Sequence, residues 1–140
     1  MAISSLDAAY IAGLFDGEGS IDFAKRKEKK SNGKAYLCQR ITMRIEMCDE
    51  HVLRWIHEKL GVGTVRKRNR SPSRKAHWKD AWVYSVRFRQ AYQVAKLLWP
   101  YAQVKLHKIE QIIDHYEPEY NDHNVVSLEQ YKMWMKDEKR

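Results

Sequence analysis

Two cysteines in 140 residues are too few for a disulfide framework, and neither Cys38 nor Cys48 stands in a paired zinc-ligand pattern. Both read as free thiols of a reducing compartment. Cys48 and His51 form a lone C-x-x-H, and His57, His77, His107, His115 and His123 show no ligand spacing, so a structural zinc is not expected. Long apolar runs are missing too. Nothing approaches the roughly 20 residues that span a bilayer, and the first residues lack the charged-then-apolar plan of a secretory signal. These absences, with no motif for an organic cofactor, predict a soluble intracellular protein that is neither secreted nor a membrane partner. Basic side chains are absent from the first 24 positions, after which residues 25–40 hold seven Lys and Arg against one acid and residues 64–79 hold seven against none. The formal charge is +8, and the chain turns acidic again from Glu110. Two concentrated basic blocks suit a phosphate-tracking surface better than general solubility.

The densest signal is Ala8–Ser20, AAYIAGLFDGEGS. Ile11, Leu14 and Phe15 recur at i, i+3 and i+4, the spacing of a helical face turned to a core. Ala9, Ala12, Gly13 and Asp16 form a neighbouring stripe of small side chains. A glycine inside a helix costs about 1 kcal/mol relative to alanine, so Gly13 beside Ala9 and Ala12 predicts that another backbone comes close. Gly17 and Gly19 end the helix and leave Glu18 at the negative end of its dipole, where a carboxylate is disfavoured unless a cation sits beside it. The expectation for Glu18 is a metal site.

Ser4 or Ser5 is the expected N-cap, with Asp7 in the first turn. Past Gly19 the period becomes two, with Ile21 and Phe23 alternating with Ser20, Asp22 and Ala24 in a strand. Lys25–Lys34 reads as a charged excursion ending in an Asn32-Gly33 turn. The return strand sets Ile41, Met43, Ile45 and Met47 on one face and Arg40, Thr42, Arg44 and Glu46 on the other. A helix starting at Cys48 or Asp49 turns Leu53, Ile56 and Leu60 inward and stops at Gly61. From Gly63 a strand carries Val65 inward and Thr64, Arg66 and Arg68 outward. The basic loop NRSPSRKAHWK leads to a strand from Trp82 to Phe88, where Trp82, Tyr84, Val86 and Phe88 share one face and Val83 and Ser85 can also pack. Helices are expected from about Gln90 to Trp99, before Pro100, and from Gln103 to Tyr116 with Ile109, Ile112 and Ile113 inward. Residues 119–126 read as a linker, and Ser127 with Gln130 as a capping box that opens a short helix.

The expected architecture is a single α+β domain over residues 1–140, in which a four-stranded antiparallel sheet carries helices on one face and leaves the other open. That open face is written in Arg40, Thr42, Arg44, Glu46, Arg66 and Arg68. A two-stranded ribbon fits the major groove of duplex DNA, where a good arginine–guanine pair discriminates by about 1–3 kcal/mol. Asp22, on the first strand, and Arg26, in the charged excursion, are also expected to contact DNA. Lys29, Lys30, Lys34 and Arg70, in the basic segments, are expected on phosphates, which fix register without reading sequence.

Ile11–Gly19, IAGLFDGEG, closely resembles the signature motif of the LAGLIDADG homing endonucleases, with glutamate in place of the last aspartate. Gly61–Gly63 and Pro100–Lys108, PYAQVKLHK, are shorter echoes, and the resemblance extends from about Ser5 to Tyr116. It implies an αββαββα unit that saddles DNA with its sheet and hydrolyses both strands with divalent metal, Mg²⁺ or Mn²⁺, leaving 3′ overhangs. The motif occurs once, which implies a homodimer packed through Ala9, Ala12, Gly13 and Asp16 about a twofold axis. The resemblance makes Glu18 the metal-binding carboxylate, the Gly17 carbonyl a second ligand, and Lys105 the basic residue near the scissile phosphate. It also implies an intron-encoded origin. One departure is Met47, which stands where many members carry a water-ordering glutamine; Glu46 is the neighbour able to replace it.

Two other readings compete with an endonuclease. The same fold can serve as a maturase or a transcription regulator that binds without cutting. A basic membrane- or RNA-surface adaptor is the third, and the alternation of the return strand argues against it.

Overall fold

The computed structural model describes residues 3–68 and 80–117, so Arg70, the basic loop around it, the linker and the C-terminal helix expected from sequence lie outside the described residues. The Ser4 hydroxyl accepts the Asp7 N–H at 3.1 Å and starts helix α1 (Ser5–Glu18), leaving Asp7 in the first turn. Ala8, Ile11, Ala12 and Phe15 are its buried side. Leu14, expected with them, is half-buried. Gly19 caps the end with a backbone bond to Phe15, and a Cβ there would lie 2.3 Å from the Phe15 ring, so only glycine allows the chain to leave the helix this closely.

Strand β1 (Gly19–Lys29) pairs antiparallel with β2 (Ala35–Met47), from Gly19 opposite Ile45 to Lys29 opposite Ala35. The first half of the supposed charged excursion, Lys25–Lys29, is therefore strand, a correction with a simple cause. The ribbon runs past the core, where both faces meet solvent and apolar alternation is not required of it. The turn is made as Asn32-Gly33 predicts: Gly33 has φ 85°, its N–H reaches the Lys30 carbonyl at 2.9 Å, and Asn32 Oδ1 accepts the Lys34 N–H at 3.0 Å.

Asp49 caps helix α2 (Glu50–Leu60) by accepting the Val52 N–H, and Gly61 ends it at φ 74°. Strands β3 (Thr64–Lys67) and β4 (Trp82–Arg87) follow, then helices α3 (Phe88–Leu98) and α4 (Leu106–Tyr116). The sheet order is β1-β2-β4-β3, with each neighbouring pair antiparallel. Its inner face places Ile41, Met43, Ile45, Tyr84 and Val86 against Ile11, Phe15, Leu53, Ile56, Leu98, Ile109 and Ile112 in one core. Burial pushes the Tyr84 phenol well above its ordinary range, and its hydroxyl donates to the Val62 carbonyl at 2.8 Å. Phe88 is not the inward end of β4. It opens α3 at φ 53° and remains 38% exposed, because the chain turns into a helix directly after Arg87. No helix among the described residues is long and apolar enough to cross a membrane.

Candidate nucleic-acid interface

Strand register decides which side chains share the sheet face that carries no helices. Ser20, Asp22, Ala24, Arg26 and Glu28 of β1 stand opposite Arg44, Thr42, Arg40, Cys38 and Tyr36 of β2. On the other side, Thr42, Arg44 and Glu46 stand opposite Arg87, Ser85 and Val83 of β4, and Ser85 and Val83 stand opposite Thr64 and Arg66 of β3. The expected Arg40, Thr42, Arg44, Glu46 and Arg66 are thus on one face, and Arg68, just past β3, reaches it by pairing with Glu46. Arg26 pairs with Asp22 at 3.1 Å, and Arg40 pairs with Glu28. Arg87 and Glu28 were missed from the sequence, although extending the alternation of β4 by one residue places Arg87 beside Arg44. Val83 and Ser85 are outward-facing yet 7% and 6% exposed, being small and overhung by longer neighbours on both sides.

Two clefts open on this face. The first, about 640 Å³, is bordered by Asp22, Arg26, Glu28, Arg40, Arg44 and Arg87, and the free ribbon brings Lys27 and Lys29 to its edge as well. Lys30 lies over the Tyr36 ring at 5.3 Å, near the hairpin tip that also carries Lys34. The second cleft, about 530 Å³, is lined by Glu18, Ser20, Arg44, Glu46, Arg66 and Arg68. It joins the end of the motif helix to the arginine face.

Around the end of α1 the charges are ordered. The Asp16 carboxylate accepts the Gln103 N–H at 2.8 Å and the Lys105 N–H at 3.0 Å, while the Lys105 ammonium donates to the Asp16 carbonyl at 3.1 Å. Lys105 is thus a cation on the Asp16 carbonyl at the negative helix terminus. Glu18 itself is exposed. Among the described residues no three His, Cys, Asp or Glu side chains come together, so Glu18 and the Gly17 carbonyl offer part of a coordination shell. Such a donor set suits a hard ion of the Mg²⁺ kind, which retains waters and takes phosphate oxygens. Met47, opposite Trp82, is packed toward the core, whereas Glu46 faces the Glu18 cleft.

The small stripe of α1 needs correction at two positions. Ala12 is 1% exposed in the protein's own core, and Asp16 is engaged by the turn before α4. The open side of α1 runs instead through Leu6, 84% exposed, Tyr10, 56% exposed, Gly13 and Gly17, with half-buried Ala9 at its margin. A Cβ at Gly13 or Gly17 would meet nothing within 4 Å.

An αββαββα order, here extended by α4, with a four-stranded antiparallel sheet and a carboxylate at the end of its first helix defines the homing-endonuclease fold. The chain belongs to the LAGLIDADG endonuclease family, whose profile matches residues 11–101. The homing endonuclease I-CvuI, in complex with its target in the presence of 2 mM Ca, is 21% identical over 82% of this chain and 73% of its own, with TM-score 0.56. The archaeal intron-encoded homing endonuclease I-Vdi141I, complexed with DNA, is 16% identical over 96% of this chain and 84% of its own, with TM-score 0.61. The homing endonuclease I-TnaI is 16% identical over 100% of both chains, with TM-score 0.57. No curated protein matches the chain at a comparable level.

Proposed function

We propose that this chain is a homodimeric, metal-dependent, site-specific DNA endonuclease, encoded within an intron, that reads a long near-palindromic duplex in the major groove and cuts both strands to leave 3′ overhangs. One observation carries the proposal: Glu18 lines the same cleft as Arg44, Arg66 and Arg68, so a carboxylate stands at the edge of an arginine-bearing sheet. Relatives of this fold are described as complexed with DNA, which agrees with the sheet as the docking surface.

The second copy is argued from α1. Leu6, Tyr10 and Gly13 leave an apolar side exposed on a helix whose opposite side is core, and apolar helices of this kind are covered on both sides. Self-packing about a twofold axis covers it, with Gly13 and Gly17 allowing the backbones to approach. Two Glu18 carboxylates then converge near the axis, where they repel each other and any phosphate brought between them. Glu18, with the Gly17 carbonyl, would hold Mg²⁺ or Mn²⁺ there. Held by these two groups, such an ion would supply Lewis-acid chemistry, an activated water and a neutralised leaving oxygen, for phosphodiester hydrolysis. Lys105 contributes fixed positive charge at the same helix end, offsetting charge on the phosphoryl oxygens. Arg44 and Arg66 hold the duplex from the sheet.

Glu18→Gln tests the assignment. It removes the ligand charge and keeps the shape, so cleavage in Mg²⁺ falls below detection while duplex affinity in Ca²⁺ changes less than about threefold; equal loss of both counts against the assignment. Met47, turned into the core where a water-ordering side chain is common, favours one second reading, a binder of the same fold that does not cut. Wild-type protein that binds a selected duplex in Mg²⁺ without cleaving it would support that reading instead.

A further inference from the structure

Three arginines of the open sheet face are each held by a carboxylate of the same face: Arg26 by Asp22, Arg40 by Glu28 and Arg68 by Glu46. In every pair the arginine stands further into solvent than its partner, 61% exposed against 29%, 37% against 23% and 59% against 40%. The carboxylate therefore lies low on the sheet with the guanidinium above it, toward the side where a duplex would dock. Arg44, Arg66 and Arg87 share the face, and no ion pair joins them to a carboxylate among the described residues.

We propose that Asp22, Glu28 and Glu46 are specificity-determining positioning residues, each fixing one arginine as a reader of guanine, so that each half-site of the target carries three G·C pairs at set positions. This rests on the DNA-binding reading above. A guanidinium has five donors in a planar fork, and a carboxylate that occupies one edge leaves others for the N7 and O6 acceptors of guanine. A free arginine must order several rotatable bonds on binding, whereas a held one has lost much of that freedom already. The carboxylate also opposes the non-specific term, because a negative charge on the face subtracts from phosphate attraction. It further disfavours a base pair that offers the arginine no acceptor pair, since the acid is then brought near DNA without return. If the acids themselves read cytosine N4–H, they would be the more exposed members of the pairs, and the reverse is observed.

The test is a binding selection in Ca²⁺ from a duplex library with randomised inverted half-sites, run on the full wild-type chain and on Asp22→Asn, Glu28→Gln and Glu46→Gln. These solvent-exposed pairs contribute little to folding, so the amide variants retain the structure. The wild type is expected to recover three near-invariant guanines per half-site. Each variant should lose about tenfold in preference at one of them, keep the other two, and bind random duplex more tightly. Replacing each of these guanines by 7-deazaguanine, which lacks the N7 acceptor, should weaken the wild type and leave the corresponding variant unaffected. A selected site without these guanines, variants that keep all three preferences, or wild-type tolerance of 7-deazaguanine would each overturn the inference and leave the endonuclease reading standing. Failure to select any duplex would overturn both.

Discussion

At the scale of single residues, Asp16 and Glu18 divide the work of one helix end. Asp16 ties α1 to the turn before α4 with two backbone N–H bonds and a carbonyl contact to Lys105, while Glu18, two residues on, is left exposed at the cleft. Asp16→Ala removes the acceptor of both N–H groups and should cost about 1–3 kcal/mol, seen as a melting temperature lowered by several degrees. An unchanged melting temperature would mean that water replaces the carboxylate at no cost. The place of Glu18, exposed at the end of α1, was legible in the sequence because its signal is local, an acid between two glycines at a helix end. The role of Asp16 was not, because its partners lie 87 and 89 positions away and only the fold brings them together.

At the scale of elements, α1 buries one side in the core and leaves Leu6, Tyr10 and Gly13 exposed on the other. Because a side chain at Gly13 would meet nothing within 4 Å, Gly13→Leu should leave the protomer folded and separate the proposed dimer, detectable as halved mass by sedimentation with unchanged far-UV circular dichroism. A variant that stays dimeric would place the interface on another surface. Element order, the caps at Asp49 and Gly61, and the inward faces of β2 and α4 followed from periodicity, because each has one buried and one solvated side. The length of β1 did not follow, since Lys25–Lys29 pair through backbone with both faces wet. Arg87 escaped for a related reason. The aromatic Phe88 extends the apparent strand period of the inner face one residue too far, while Arg87 ends β4 on the outer face.

At the scale of the molecule, the open sheet face carries Arg26, Arg40, Arg44, Arg66, Arg68 and Arg87 together with Asp22, Glu28 and Glu46, so it is patterned and not uniformly basic. Lys29 and Lys30, beside the hairpin tip, are proposed to hold phosphates. Replacing both with glutamine removes four lysines from the proposed dimer, and should weaken binding to all duplexes alike and flatten the slope of log affinity against log salt by about 3.6. A change confined to particular sequences would instead assign these lysines to base reading. Two copies of this chain are proposed to cut a near-palindromic duplex with divalent metal held through Glu18. The most direct measurement is a cleavage selection on a randomised inverted-repeat duplex library, with Mg²⁺ and with Ca²⁺, using wild type and Glu18→Gln. Recovery of one long, near-palindromic site, cut on both strands only by the wild type in Mg²⁺, is the predicted result. Cutting by Glu18→Gln at the wild-type rate, or binding without any cutting in Mg²⁺, would contradict it.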